Sequence, residues 1–329
     1  MKKVYVSPSA TRKAGYSSRY FLHLKRELAS YFEVLEADNA PCIMQSGALL
    51  RNSFKADVAV LSFVENIAFH KLAVLQTCIA MLALGILRLR KCRTVFIFHN
   101  PSPHQGGNAL SRALTDKLFR IADLVVAHTE NTASIARVRV GEQKVLYFPH
   151  PCEAPVSVPA GARTDVLIWG TVLPYKGVEE FVSNGAVRAS GLKIKILGAC
   201  PDPALAERIH ALENDNISFE QRRAEMDEIA SNVAGSRFVL FPYLPGSISG
   251  SGTLVDTLRF GGNPVGPDVG AFAELSQHGL CRVYADISEL LEILHSPWSA
   301  DPARVREYLS GNSWTSFVET MVNSLKENV

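Results

Sequence analysis

"VLIWGTVLPYKGVEEFV", residues 166–182, holds two kinds of spacing in one short stretch. Val166 to Trp169 is an unbroken apolar run, the mark of a strand covered on both faces. Gly170 ends it, and beyond Gly177 the apolar residues Val178, Phe181 and Val182 return at helical intervals. Strand, glycine turn and helix in succession form half of a βαβ unit, whose strands lie parallel. The fold depends on whether this unit recurs.

It recurs along the whole chain. Strands are expected at 3–7, 32–36, 57–63, 93–98, 123–127 and 144–148, with periodic segments such as "SSRYFLHLKRELASY" and "NALSRALTDKLFRIA" between them. A second series follows: strands at 165–169, 193–197, 217–220, 237–242, 263–266 and 281–285. Helices are expected at 177–189, 203–213, 224–233 and from about Thr253, and further helices close the chain. Such alternation implies a doubly wound parallel α/β sheet. Between the series, "FPHPCEAPVSVPAGARTD" (148–165) carries four prolines and no periodicity, and reads as a linker. A chain of 329 residues suits two domains. The expected division is 1–153, 154–305 and a terminal helix, 306–329.

Composition, 47% apolar and 20% charged, is that of a globular chain. Six scattered cysteines form no CxxC pair or zinc-like cluster and read as buried thiols in a reducing compartment. The start, "MKKVYVSPSA", lacks the apolar core and cleavage site of a signal peptide, so a cytoplasmic location is expected. The net charge of +2 conceals a division: residues 1–150 hold 20 Lys/Arg against 10 Asp/Glu, and the remainder 14 against 22. The basic first half suits an anionic partner or is a solvated basic face. Nucleic acid is disfavoured, because the basic residues form no stripe interleaved with aromatics.

"KLAVLQTCIAMLALGILRLRK" (71–91) has an uncharged stretch from Leu72 to Leu87, shorter than a bilayer requires and interrupted by Gln76 and Thr77. It reads as a core helix whose basic end, Arg88, Arg90, Lys91 and Arg93, can rest on anionic lipid.

In open parallel sheets, ligands bind beyond the carboxyl ends of the strands. That rule selects Ser9, Arg12, Lys13 and Gly15 after the first strand and Glu65 after "VAVLSF". It also selects His99 after "TVFIF", Gly170 and Thr171 after "VLIW", and "PGSISGSGTLVDT" (245–257) after "FVLFPY". Gly and Ser let a backbone approach a ligand closely, and amides at a helix start favour a phosphate. The same loop also reads as a linker or a helix cap.

Four segments, in order, resemble the GT-B glycosyltransferases, in particular the family 4-like (group 1) nucleotide-sugar enzymes. They are "FHNPSPH" (98–104), "LFRIADLVVAHTEN" with "KVLYFPHP" before the linker, "VLIWGTVLPYKGVEEFV", and "SGSGTLVDTLRFGGNPVGPDVGAFAEL" (249–275). The resemblance implies two Rossmann-like doubly wound domains facing an interdomain cleft, with the terminal helix, 306–329, crossing back to the first domain. The activity it implies is transfer of a sugar from a UDP- or GDP-sugar to a hydroxyl, without metal or cofactor, and the basic first half suggests a lipid-linked or polysaccharide acceptor.

Residue by residue, it implies that Lys176 pairs with the diphosphate, helped by amides around Ser251, Gly252 and Thr253, and that Asp256 accepts the ribose hydroxyls. Glu274 lies near the donor, and Arg222 faces the base or phosphates or else belongs to a salt-bridged surface. His99 orients the sugar or serves as base, Glu65 is the other base candidate, and His104 is on the acceptor side. Two positions depart from the pattern: Gly170-Thr171 stands where Gly-Arg is usual, and Glu-x(7)-Glu falls on Ile248 and Asp256. These departures keep two alternatives open, a sugar-nucleotide 2-epimerase and a noncatalytic subunit of a partner transferase.

Overall fold

The structure is a computed structural model, and it describes residues 1–8, 19–35, 45–99, 107–161, 163–244 and 252–327. Two compact units result: Met1–Pro149 together with Trp314–Val329, and His150–Ser313. The first division falls four residues before the expected 153/154 and the second eight residues after the expected 305/306. The His150 ring packs on the second unit's Gly252, and Trp314 packs on Tyr20 and His23 of the first.

The first unit runs β1 (Lys3–Ser7), α1 (Arg19–Leu28), β2 (Glu33–Val34), α2 (Gln45–Ser53), β3 (Val58–Ser62), α3 (Ala73–Leu89), β4 (Arg93–Phe98), α4 (Ala109–Ile121), β5 (Leu124–Ala127), α5 (Glu130–Val140) and β6 (Val145–Tyr147). Among the described residues the sheet has six parallel strands in the order β2-β1-β3-β4-β5-β6. Alternating side chains take opposite faces. Tyr5, Leu61, Phe96 and Val125 pack beneath α2, α3 and α4, while Val4, Val6, Val60 and Ile97 pack with α1.

The second unit runs β7 (Thr164–Trp169), α6 (Val178–Ser183), α7 (Gly185–Ala189), β8 (Ile194–Leu197), α8 (Pro203–His210), β9 (Ile217–Glu220), α9 (Met226–Gly235), β10 (Ser236–Leu240), α10 (Gly252–Arg259), β11 (Pro264–Pro267), α11 (Gly270–Gln277), β12 (Arg282–Tyr284), α12 (Ile287–His295) and α13 (Pro302–Gly311). Its parallel order is β12-β11-β10-β7-β8-β9. The helix expected at 177–189 is two helices, because the Asn184 side chain accepts from the amides of Ala186 and Val187 and starts a new one.

The last helix, α14 (Trp314–Glu327), completes the first unit. Phe317, Val318, Met321, Val322 and Leu325 fill the sheet face that α1 leaves open, against Val6, Leu24 and Leu28. Phe317 is wholly buried. Phe317→Ala should therefore destabilise this unit by about 3–5 kcal/mol, read as a lower urea midpoint.

Two expectations need correction. Cys92, Cys152, Cys200 and Cys281 are buried, but Cys78 is exposed. The 71–91 segment forms α3 as a helix, yet only one face is core: Leu75, Leu82 and Leu89 lie in solvent. An apolar run broken only by Gln76 and Thr77 carries too little periodic signal to separate the two faces.

Candidate functional site

In the second sheet the strand order reverses between β7 and β10, which are hydrogen-bonded neighbours. Topology places a ligand crevice at the carboxyl ends of such a pair. A pocket opens there, lined by Gly170, Thr171, Lys176, Phe241, Pro242 and Tyr243.

Trp169, the last residue of β7, donates from Nε1 to Thr257 Oγ1 at 3.0 Å, and that hydroxyl donates to the Thr253 carbonyl at 2.8 Å. These two bonds hold the first turn of α10 against the end of β7. Gly170 follows at φ +98; a Cβ on it would lie 3.4 Å from Thr253 Cγ2 and 3.7 Å from Lys176 Nζ. Gly170, Lys176 and Thr253, from three separate segments, thus meet at one point.

Lys176 ends a 3₁₀ turn begun by Pro174, and Gly177 closes it in the left-handed region at φ +63. The ammonium also lies over the Tyr243 ring, 5.7 Å from its centroid. The turn is pressed onto the loop after β10: Leu244 N–H donates to the Tyr175 carbonyl at 3.0 Å, and a Cβ at Gly177 would lie 2.1 Å from Pro242 O. The early amides of α10 lack intrahelical acceptors and sit at the positive end of the helix dipole. A half-buried ammonium beside such amides is suited to an oxyanion, above all a phosphate.

His150 was not among the candidates read from the sequence. A Cβ on Gly252 would lie 3.5 Å from its Nε2. Its Nδ1 is 3.0 Å from the Pro151 carbonyl, which can only accept, so Nδ1 carries the hydrogen and Nε2 presents its lone pair. Burial pushes its pKa down to about 4, so the ring is neutral at pH 7. Its place among the linker prolines masked it.

Of the other donor-side candidates, some belong to the same pocket and others have partners of their own. Gly252 and Thr253 are the first two residues of α10. Asp256 lies one turn on, 3.9 Å from Arg259, which also pairs with Glu153 at 2.9 Å. Glu274 is half-buried on α11 and its charge acts on Tyr308 of α13. Arg222 is exposed and is gripped by Glu220 at 2.7 Å and, more closely, by Glu228. Thr171 lines the pocket. Ser251, Ser9, Arg12, Lys13, Gly15 and His104 lie outside the described residues.

The first unit has a switch point of its own, between β1 and β3. Beyond β3, Phe63 adopts the left-handed region at φ 54, unusual for a bulky residue. Its ring stacks on that of His99, at the end of β4, with centroids 4.4 Å apart and planes 6° from parallel. Tyr20 meets His99 edge-on at 5.3 Å, and His128, at the end of β5, is 5.5 Å away. Backbone strain of this kind concentrates at functional sites.

His128 has a defined tautomer. Its Nδ1 donates to the Phe148 carbonyl at 2.8 Å, so Nε2 accepts the Tyr20 hydroxyl hydrogen at 2.7 Å. Since His128 follows "DLVVA" as His99 follows "TVFIF", the strand-end rule could have selected it. Tyr20 gave no signal beyond helical periodicity.

Two residues past Phe63, Glu65 has a buried Oε2 without a hydrogen-bond partner among the described residues. Burial raises its pKa to about 7, against a small opposing backbone hydrogen bond. A carboxyl group so poised can exchange a proton near neutrality. Among the described residues there is no group of three or more His, Cys, Asp or Glu able to hold a metal ion.

No protein-family model and no curated protein matches the chain by sequence. Structurally it resembles Anabaena Alr3699/HepE, solved in complex with UDP-glucose, with a TM-score of 0.72 and 14% identity over 99% of this chain and 100% of that one. AviGT4, a glycosyltransferase involved in avilamycin A biosynthesis, gives a TM-score of 0.64 at 15% identity over 99% and 97% of the two chains. Sucrose-phosphate synthase from Thermosynechococcus elongatus gives 0.68 at 12% identity over 99% of each. The likeness is one of fold: two Rossmann-like α/β units in one chain, the GT-B arrangement.

Proposed function

We propose that this chain is a glycosyltransferase that moves a sugar from a UDP- or GDP-sugar to a hydroxyl of a lipid-linked or polysaccharide acceptor. The observation that carries the reading is the meeting of Gly170, Lys176 and the amino end of α10 at the β7/β10 switch point. HepE, of like fold, has been solved with UDP-glucose, which supports the same donor class here.

In this reading the acceptor oxygen attacks the anomeric carbon and the bond from that carbon to the phosphate oxygen breaks. The nucleoside diphosphate leaves with the electron pair, and Lys176 with the α10 amides offsets its growing charge. No metal is invoked, because these groups supply the positive charge. The acceptor proton passes to Glu65, whose raised pKa suits it to that transfer near neutral pH, and His99 orients the sugar. No helix among the described residues is long and apolar enough to cross a membrane. The reading places the enzyme at the cytoplasmic face of a membrane, where a lipid-linked acceptor is met.

Calorimetric titration with UDP and GDP tests it. Lys176→Ala is expected to weaken binding about 10–100-fold, the range of one charge-assisted hydrogen bond. Binding of neither nucleotide by the wild type would overturn the donor site. Binding without acceptor-dependent nucleotide release would favour the noncatalytic alternative, and release of a free 2-epimer would favour the epimerase.

A further inference from the structure

Helix α3 carries large apolar residues on both of its faces. Its inward face carries Gln76, Thr77, Ala80 and Ala83 together with Leu84 and Leu87. Gln76 is fully engaged there, donating to the Lys71 carbonyl at 2.8 Å and accepting from Ser46 at 3.3 Å. Other large apolar residues point the other way: Leu75 is 55% exposed, Leu82 57% and Leu89 84%, and Val74 and Leu72 beside them are 65% and 66% exposed. Leu75, Cys78, Leu82 and Leu89, with half-buried Ile79 and Ile86, recur at helical intervals, so they form one stripe. An apolar stripe normally faces the core, and a continuous exposed one marks a surface for apolar contact.

The charges on the segment itself are all of one sign. No Asp or Glu occurs from Asn66 to Cys92. Lys71 precedes the stripe, and Arg88, Arg90 and Lys91 follow it, all exposed. Arg90 donates to the carbonyls of Ser53 and Ala56 at 2.9 and 3.1 Å, which fixes exposed Phe54 and Lys55 near the Leu89 end. The neighbouring α4 adds Arg112, Lys117 and Arg120, while its one acid, Asp116, is paired with Arg139 at 2.7 Å.

We propose that α3 is a membrane-docking surface that lies in one leaflet of a bilayer containing anionic phospholipid, with its leucines among the acyl chains and its flanking cations at the headgroups. Charge complementarity selects this occupant. A second copy of the chain is a poor fit: antiparallel pairing sets Lys71 against Arg88 and Lys91, parallel pairing sets each basic end on itself, and the segment has no acid to meet either. Seventeen residues reach about 25 Å, and one face is already committed to the protein core, so α3 lies along the leaflet and does not cross it. The surface stands on these observations alone and owes nothing to the donor site.

The test is flotation of the full chain with phosphatidylcholine vesicles, alone or mixed with equal parts of phosphatidylglycerol. The protein should float with the mixed vesicles and not with phosphatidylcholine alone, and high salt should weaken the association. Leu75→Glu with Leu82→Glu should lower the bound fraction at least about ten-fold, while urea midpoint and UDP affinity, which check folding and the donor site separately, stay at wild-type values. In a Cys42→Ala background, a polarity-sensitive probe on Cys78 should shift to the blue with the mixed vesicles. The proposal is overturned if the wild type stays unbound, if the double variant binds as well, or if light scattering shows a dimer that the variant dissolves while vesicles have no effect.

Discussion

Glu65→Gln is expected to lower turnover by about 10²–10⁴-fold with UDP-sugar affinity unchanged, the scale of a lost general base. Glutamine keeps the size and polarity of the side chain and removes only its capacity to take a proton. In the wild type the rate should rise with pH through about 7, because the protonated carboxyl group cannot accept the acceptor proton and the ionised one can. The variant should lose that limb. Equal pH profiles in both would remove Glu65 from the reaction and leave the donor site untouched.

The same group makes a stability prediction of definite sign. The folded chain holds the Glu65 proton with a pKa of about 7, against 4.5 for an ordinary carboxyl group. Its contribution to stability is therefore fully present below about 4.5 and is lost as pH rises through 7. At pH 8 the Gln variant should melt above the wild type, a gain in stability at the expense of activity. His150 runs the opposite way: with its pKa depressed to about 4, its contribution is present above about 6.5 and is lost as pH falls toward 4.

Gly198→Ala carries the other large effect. Gly198 follows β8, and a Cβ there would lie 1.9 Å from the Gly170 carbonyl oxygen and 2.7 Å from its carbon. Both are backbone atoms, and the Gly170 amide is itself tied to the Leu197 carbonyl at 3.0 Å, so no rotamer relieves the overlap. The ends of β7 and β8 have to separate, which moves Gly170 away from Thr253 and Lys176. A loss of about 3 kcal/mol or more in unfolding free energy is expected, together with loss of measurable nucleotide binding. Gly185→Ala is the control: its Cβ meets nothing within 4 Å, and its place in α7 favours alanine. Wild-type stability and UDP affinity in Gly198→Ala would show that the three loops do not form one rigid cradle.

Much of the architecture was legible before any coordinates. "KVYVS", "DVAVLSF" and "RTVFIF" mark β1, β3 and β4 because strands covered on both faces tolerate few polar residues, and the Gly170 and Gly177 breaks mark the turn that carries Lys176. The strand-end rule selected Gly170 and the loop that holds Thr253, the resemblance added Lys176, and these three converge. It could not select His150, whose role depends on where a proline-rich segment runs, nor distinguish Arg222, whose carboxylate partners Glu220 and Glu228 come from different elements.

By itself, the sequence determined most of the strands, the βα alternation and the positions of the special turns, since period, glycine freedom and proline restriction act within a few residues. The tertiary structure alone decided the strand order, with its reversal between β7 and β10, the packing of Phe317 and Met321 of α14 against Val6 and Leu24, the His99 cluster with Tyr20 and His128, and the outward face of α3. Each of these joins or parts segments tens to hundreds of residues distant along the chain. Such pairings are set by shape, packing and charge between surfaces that exist only after folding, so no local pattern records them.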